Sequence, residues 1–267
     1  MYTQKFIKEA EKMEKEWQEE CDRVYGHQDF KATTESGIPL KTVYGPSDVK
    51  DIDFKEIGMP GAYPYTRANH PLQYQFRPWA NQPGLGFGLP EHTRERYDAL
   101  TKEGMASYLG LPVYFSNFDI AAQAGFDPDH PGAEGRIGQC GSTVSTLRDY
   151  EILYGGLPLD KLLVFMGTAN GAIPALAMYI VFAERQGYPQ EKLRGSLWNF
   201  PWSQWHWDTC SFRPKDAFKP VVEVIKHTAN HMPLFRPMAL QGYDMEEAGA
   251  NCIQALAFLL ASHIAVT

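Results

Sequence analysis

Polar or small side chains follow several short apolar segments of this chain: Asn117 and Asp119, Thr168 and Asn170, Asn199, then Tyr243 and Asp244. Groups in such places, at the carboxyl ends of parallel strands, are where barrel enzymes keep their chemistry. Carboxylates such as Asp208 and Asp244 can bind a cation or a hydroxyl, and the guanidinium of Arg77 suits a phosphate or carboxylate. Each also has a plainer role: Asp244 as a helix N-cap, Asp208 as a cap of loop amides, Arg77 as half of an ion pair. Trp198, Trp202, Trp205 and Trp207 add aromatic bulk around His206, which could face a site or pack in a core. His130 sits in a turn-like Asp-Pro-Asp-His-Pro-Gly run and reads as structural, and a lone Cys140 reads as a small apolar filler. There is no GxGxxG and no GxxxxGK[ST] in the chain, so the phosphate-cradling turns of open nucleotide-binding sheets are missing.

The elements that must position these groups follow from the apolar rhythm. Residues 3–23 alternate Lys and Glu around Phe6, Ile7, Met13 and Trp17, which predicts a solvated helix with a narrow apolar stripe. From Thr33 to Gly88 the period disappears and Gly and Pro recur, as in Gly45-Pro46 and Met59-Pro60-Gly61, so an extended segment is expected. Beyond it, strands are expected at Leu85–Gly88, Pro112–Asn117, Leu162–Thr168, Gly195–Asn199 and Pro237–Gln241. Helices are expected at Glu91–Glu103, Ser145–Tyr154, Ala172–Gln186, Lys215–His231 and Met245–Ile264. Apolar strands alternating with amphipathic helices predict an α/β fold with a parallel sheet, read as a (β/α)8 barrel with about five β/α units present. Residues 1–84 then form an N-terminal helix and an extended arm, and residues 85–267 a partial barrel. Eight units close a barrel, so the missing three are expected from another polypeptide or a longer product.

Composition narrows the partners. With 44% hydrophobic and 21% charged residues among 267, the chain can bury a large core, which excludes disorder and small disulfide scaffolds. Twenty-five Lys and Arg against 32 Asp and Glu, a net charge of −7 without a basic cluster, argue against nucleic acid. Cys21, Cys140, Cys210 and Cys252 form no CxxC pair, so neither a zinc ribbon nor a disulfide framework is indicated, and a reducing cytoplasm is expected. No run approaches the ~20 apolar residues of a membrane span, and residues 1–23 lack the apolar core of a secretory signal.

Several segments resemble, in order, the methylmalonyl-CoA mutase family of acyl-CoA mutases. They are Tyr63-Pro64-Tyr65-Thr66-Arg67, Gln75-Phe76-Arg77-Pro78-Trp79, Gly86-Phe87, Phe126-Asp127-Pro128-Asp129-His130-Pro131, Gly156-Leu157-Pro158-Leu159-Asp160-Lys161, Glu184-Arg185-Gln186-Gly187, Lys192-Leu193-Arg194-Gly195, and Gly242-Tyr243 with Glu247-Ala248-Gly249-Ala250. The resemblance covers roughly residues 36–267 and implies an isomerase that rearranges the carbon skeleton of an acyl-CoA with adenosylcobalamin. It also implies a barrel threaded by the pantetheine arm and capped by the cofactor at the carboxyl ends of the strands. The family's DxHxxG motif, which carries the lower cobalt ligand, is absent here. The resemblance therefore implies a cobalamin-binding domain or small subunit as partner, in a hetero- or homo-oligomer. It assigns Arg77, Gln82, Gly84, Trp198 and Thr66 to the substrate. Glu247, Ala248, Gly249, Ala250, Cys140 and Phe118 fall to the cofactor, and Tyr243, Asp244 and Asp208 to the reacting centre.

The reacting centre departs from the family pattern. Gly84 stands where the family has a tyrosine beside the migrating group, Gln82 and Asp208 where it has arginines, Trp198 where it has a glutamine, and Asp244 in place of a histidine. Exchanging Arg for Asp at a carboxylate subsite turns attraction into a repulsion of about 1–4 kcal/mol. The resemblance with these departures implies a substrate other than methylmalonyl-CoA, bulkier or less anionic. The alternative is a catalytically degenerate subunit with a role in assembly.

Overall fold

The apolar runs at residues 111–117 and 163–167 carry large side chains at both odd and even positions, as strands covered on two faces require. The computed structural model describes residues 2–27, 32–76, 84–104, 107–108, 111–199 and 213–266. It divides into two compact units, Met1–Pro78 and Trp79–Thr267.

Unit one opens with helix α1 (Gln4–Tyr25), whose N-cap Thr3 Oγ1 accepts from Phe6 N at 3.2 Å. Exposed pairs such as Lys5 with Glu9 and Lys12 with Glu16 decorate it, each adding a few tenths of a kcal/mol, about 0.3. Ile7 and Ala10 are its buried residues, and Ser47 Oγ donates to the Glu14 carboxylate at 2.6 Å. Beyond it lie a 3-10 turn (Pro46–Val49), the one-turn helices α2 (Phe54–Ile57) and α3 (Gln73–Phe76), and an antiparallel bridge between Thr33 and Pro39. The expected helix and the irregular segment after it are both present.

Unit two is α/β. Leu85 bridges in parallel to Ser116, and helix α4 (Pro90–Lys102) follows. Then come β1 (Ser107–Tyr108), β2 (Leu111–Asn117), α5 (Ile120–Ala124), α6 (Leu147–Tyr154), β3 (Leu163–Gly167) and α7 (Ala172–Arg185). The series ends with β4 (Arg194–Leu197), α8 (Pro214–His231), β5 (Phe235–Arg236), α9 (Tyr243–Glu247) and α10 (Cys252–Val266). The sheet order is β1-β2-β3-β4-β5, with β1 antiparallel to β2 and every later pair parallel. Consecutive parallel strands in chain order, with helices between them, are the winding of a (β/α) barrel, here as an open part of one.

Two expected elements moved. The last strand is Phe235–Arg236 rather than Pro237–Gln241, because Pro237 has no N–H for a ladder and Phe235 is the side chain that reaches the core beside Tyr179. The single helix expected over Met245–Ile264 is broken: Gly249 at φ +99° ends α9, and a new cap starts α10. There Asn251 Oδ1 accepts from Gln254 N while Gln254 Oε1 accepts from Asn251 N, both at 3.0 Å. The antiparallel β1 was not expected from its short polar sequence.

Register sorts the sheet into two faces. Tyr114, Val164, Met166 and Leu197 are buried against the helices, where they meet Tyr150, Leu153, Tyr154, Tyr179 and Phe182. Tyrosines line this seam, with ring centroids 4.4 Å apart for Tyr97 and Tyr114 and 4.8 Å for Tyr114 and Tyr154. Burial pushes the phenols of Tyr114, Tyr150, Tyr154 and Tyr179 well above the usual tyrosine range. The opposite face carries Val113, Leu163 and Arg194 in one row and Phe115, Phe165, Ser196 and Arg236 in the next.

Candidate functional site

The carboxyl edge of the sheet is tied together by one carboxylate. Asp119, just after β2 and buried, caps α5 through Oδ1 to Ala122 N at 2.8 Å. Its Oδ2 accepts from Gly138 N and from Thr143 Oγ1, both at 2.8 Å. Backbone bonds complete the lacing: Asp119 N to Ser142 O, Ser142 N to Asn117 O and Thr143 N to Gly88 O, each 2.9 Å. The loop over 138–143 is thereby clamped across the ends of the first two parallel segments. Close backbone approach explains two glycines there: a Cβ on Gly86 would lie 2.3 Å from Asn117 O, and one on Gly141 2.2 Å from Phe118 O.

Three polar atoms along this edge are buried without a hydrogen-bond partner among the described residues: Ser142 Oγ, Thr168 Oγ1 and Asn199 Nδ2. Leaving such groups unpaired costs about 1–3 kcal/mol each, which a bound ligand or water would relieve. Thr168 follows β3 and Asn199 follows β4, and the ladder between those strands continues past them through Trp198 N to Met166 O at 2.9 Å and Ala169 N to Trp198 O at 2.7 Å.

Below the edge, on the face away from the helices, runs an aromatic lane. Phe115 meets Phe165 edge-on at 6.1 Å and Trp198 at 5.1 Å, and the nearest atom to a Cβ on Gly84 would be Phe115 Cε1 at 4.0 Å. Arg194 and Arg236 occupy the same face in register with Leu163 and Ser196. An apolar lane with cations along its strands can hold an elongated ligand that is apolar along its length and anionic at one end. Arg194 and Arg236 do not emerge from spacing alone, because only the register puts them on the lane.

The sequence-derived candidates do not all fall in one place. Gly84 and Trp198 lie on the lane. Ala248 and Ala250 line an apolar groove of about 510 Å³ between α9 and α10, with Met245, Phe258, Ala261 and Ser262, while Glu247 and Gly249 are exposed beside them. Tyr243, 61% exposed, opens α9. Asp244 is buried, with its Oδ2 accepting from Gln241 Nε2 at 3.0 Å. The N-cap of α9 is Gly242, so Asp244 is not the cap that its place in the sequence suggested. Cys140 is an exposed free thiol at φ +59° in the loop held by Asp119.

Phe118 turns its ring into the core, edge-on to Tyr150 at 6.3 Å, and gives the edge only its backbone. Thr66 belongs to unit one, where its Oγ1 donates to Ile57 O. Arg77, Gln82, Asp208, His206, Trp202, Trp205 and Trp207 lie outside the described residues. His130 accepts from Gly132 N at 3.0 Å and stacks on Phe126 at 4.4 Å, a turn-forming role.

Comparison with known proteins matches residues 33–266 to the family model described as methylmalonyl-CoA mutase. The chain is 38% identical over 230 residues to the mitochondrial methylmalonyl-CoA mutase of Homo sapiens, covering 85% of this chain and 29% of that protein. It is 36% identical over 230 residues to the methylmalonyl-CoA mutase of Cereibacter sphaeroides, covering 85% and 31%. The methylmalonyl-CoA mutase large subunit of Streptomyces virginiae is 35% identical over 233 residues, covering 86% and 31%. The chain thus spans about three tenths of the length of these relatives. No helix among the described residues is long and apolar enough to cross a membrane. With a family model matched over nearly the whole chain and relatives well above 30% identity, the chain belongs to the methylmalonyl-CoA mutase family.

Proposed function

We propose that this chain is the acyl-CoA-binding part of an adenosylcobalamin-dependent mutase that isomerises the carbon skeleton of an acyl-CoA other than methylmalonyl-CoA. The observation that carries the reading is the face of the sheet away from the described helices, where Phe115, Phe165 and Trp198 form an aromatic lane with Arg194 and Arg236 on the same face. Arg194 and Arg236 hold the phosphates of the thioester's nucleotide end, and the lane takes the apolar arm. Gly84 leaves room and Trp198 supplies bulk, which together favour a larger acyl group than the family's usual one. Tyr243, Asp244 and Asp208 are assigned to the acyl end; a carboxylate there disfavours a second carboxylate on the substrate.

The residues present fit a large cofactor. Ala248 and Ala250 line the apolar groove without bulky side chains, so a wide planar ring can approach the backbone of α9. When bound, adenosylcobalamin would supply the radical hydrogen abstraction that such a rearrangement needs. The chain's part is to hold the thioester in line, shield it from water and keep polar contacts at the sheet edge. A cobalamin-binding domain or small subunit would supply the remaining contact to the cofactor, including its lower cobalt ligand.

Further barrel units, from a partner or from more of the same polypeptide, would cover the outer side of β5 and the apolar surface of α10. Four widely spread cysteines without a CxxC pair favour a reducing compartment such as the cytoplasm.

The test combines the chain with the rest of its barrel, a cobalamin-binding partner, adenosylcobalamin and a panel of acyl-CoAs. A paramagnetic resonance signal and product that depend on an acyl-CoA without a second carboxylate are expected, with none from methylmalonyl-CoA. Bound cobalamin with no signal across the whole panel would leave the assembly reading instead.

A further inference from the structure

Asn117 is the last residue of β2 and stands opposite Gly167, the last residue of β3. Its backbone is committed, with N donating to Leu85 O at 3.3 Å and O accepting from Ser142 N at 2.9 Å. Its carboxamide makes no hydrogen bond among the described residues. Alternation along the two strands puts Asn117 on the face of Phe115, and Gly167 on the face of Phe165. A Cβ on Gly167 would collide with Asn117 Oδ1 and lie 3.2 Å from its Cγ. The amide therefore lies over Gly167 on the aromatic lane, in space that any other residue at 167 would fill. The same gap lets Trp198, at the end of β4, bring its ring within 5.1 Å of Phe115 on β2, although β3 runs between them.

The lane is open at this height: Phe115, Asn117, Phe165 and Trp198 are half-buried, whereas Tyr114 and Met166, which alternate with them, are fully buried. Arg236 shares a row with Ser196, two residues before Trp198, and Arg194 lies two residues earlier still. These rows are about 7 and 13 Å along the strands from the Asn117 row. A ligand held by the arginines at its anionic end would thus reach the Asn117 amide with its far end.

We propose that the Asn117 carboxamide selects the acyl group, pairing with a hydroxyl on an otherwise neutral chain, and that Gly167 is what lets it lie on the lane. This rests on the acyl-CoA reading above and names its substrate class as hydroxyacyl-CoA. A carboxamide offers a donor and an acceptor side by side and a hydroxyl offers both, so the two match whichever end of the amide faces the ligand. An acyl chain without the hydroxyl leaves the amide stripped of water and unpaired. A carboxylate there meets N–H donors but no full positive charge to offset its desolvation. Asn117 acts on specificity and takes no part in hydrogen transfer.

In the assembly described above, equilibrium binding is measured for free coenzyme A and two matched pairs, 3-hydroxypropionyl-CoA with propionyl-CoA and 4-hydroxybutyryl-CoA with butyryl-CoA. The hydroxylated member of at least one pair should bind about tenfold more tightly. Asn117→Leu, which keeps the size of the side chain, should abolish that preference with little effect on free coenzyme A. Gly167→Ala, which displaces the amide without removing it, should reduce the preference part-way. Equal binding within both pairs, or a preference that survives Asn117→Leu, would overturn this inference while coenzyme A binding upholds the acyl-CoA reading. Failure of coenzyme A and all four thioesters to bind would overturn both.

Discussion

The buried carboxylate of Asp119 accepts the hydroxyl of Thr143, 24 residues along the chain, at 2.8 Å. The same oxygen takes Gly138 N, and the other caps α5, so one side chain fastens a loop, a helix start and a strand end. Asp119→Ala removes the cap and leaves buried donors unpaired, and should cost about 3 kcal/mol. Thr143→Val removes a single bond and should cost about 1 kcal/mol. Denaturant midpoints of the two variants check the ratio, and equal losses would mean that the loop is not held through this carboxylate.

Two tyrosines a turn apart on α6 should respond oppositely to loss of the hydroxyl. Tyr150 OH donates to Ala175 O at 2.8 Å, whereas Tyr154 OH is buried with no partner among the described residues. Tyr150→Phe should destabilise by about 1 kcal/mol, while Tyr154→Phe should be neutral or stabilising by up to about 1 kcal/mol. Thermal melts side by side decide it.

Alkaline pH should unfold the chain through the same seam. The folded phenols of Tyr114, Tyr150, Tyr154 and Tyr179 are raised above the unfolded value by burial. Their contribution is therefore complete below the unfolded pKa of about 10 and is lost as pH rises beyond it, because only the unfolded chain releases those protons. Phenolate absorbance should appear in two stages, exposed tyrosines first and the buried set together with loss of helical signal. A single gradual titration with the fold intact would contradict this burial.

Ligand contacts on the lane separate by position. Arg194→Ala and Arg236→Ala should weaken binding of an acyl-CoA, and of free coenzyme A equally, by about tenfold each, with weaker dependence on salt. Trp198→Ala should alter the ranking among acyl groups while leaving coenzyme A affinity nearly unchanged. Equilibrium binding across a short acyl series reads both effects, and a Trp198 variant with an unaltered ranking would remove that residue from the acyl end.

Gly86→Ala tests the close approach of two backbones at this edge. Gly86 stands at φ +100°, and an added Cβ would meet Asn117 O at 2.3 Å, so backbone must move. A loss of about 2–4 kcal/mol is expected, from strain plus displacement of the Asn117 carbonyl that receives Ser142 N. A midpoint within the error of the unaltered chain would show that the edge yields freely.

Much of the fold is legible in the residues because periodicity carries it. The helix expected over Ala172–Gln186 is found over Ala172–Arg185, and the parallel strands near Pro112 and Leu162 lie where unbroken apolar runs put them. The errors come where a local signal outvotes the run: Pro237 expels the last strand to Phe235, and Gly249 with the Asn251 cap splits an otherwise continuous apolar helix. At the site, Asn117, Asp119, Thr168 and Asn199 stand out as polar residues after strands. What they bond to does not, since Asp119 is defined by Gly138 and Thr143, residues that only the folded loop brings back to it. The arginines of the lane were hidden for a similar reason: Arg194 and Arg236 share a face only through the β4–β5 register.

On α10, Ile253, Leu256, Phe258, Leu260 and Ile264 are each more than half exposed. A net charge of −7 keeps such surfaces apart in dilute buffer by mutual repulsion, and salt shortens the reach of that repulsion to about 8 Å at physiological ionic strength. Association of chains through this helix is therefore a competition between their diffuse acidity and its apolar surface. Higher ionic strength should favour that association, until a cover of matching shape takes those side chains out of water.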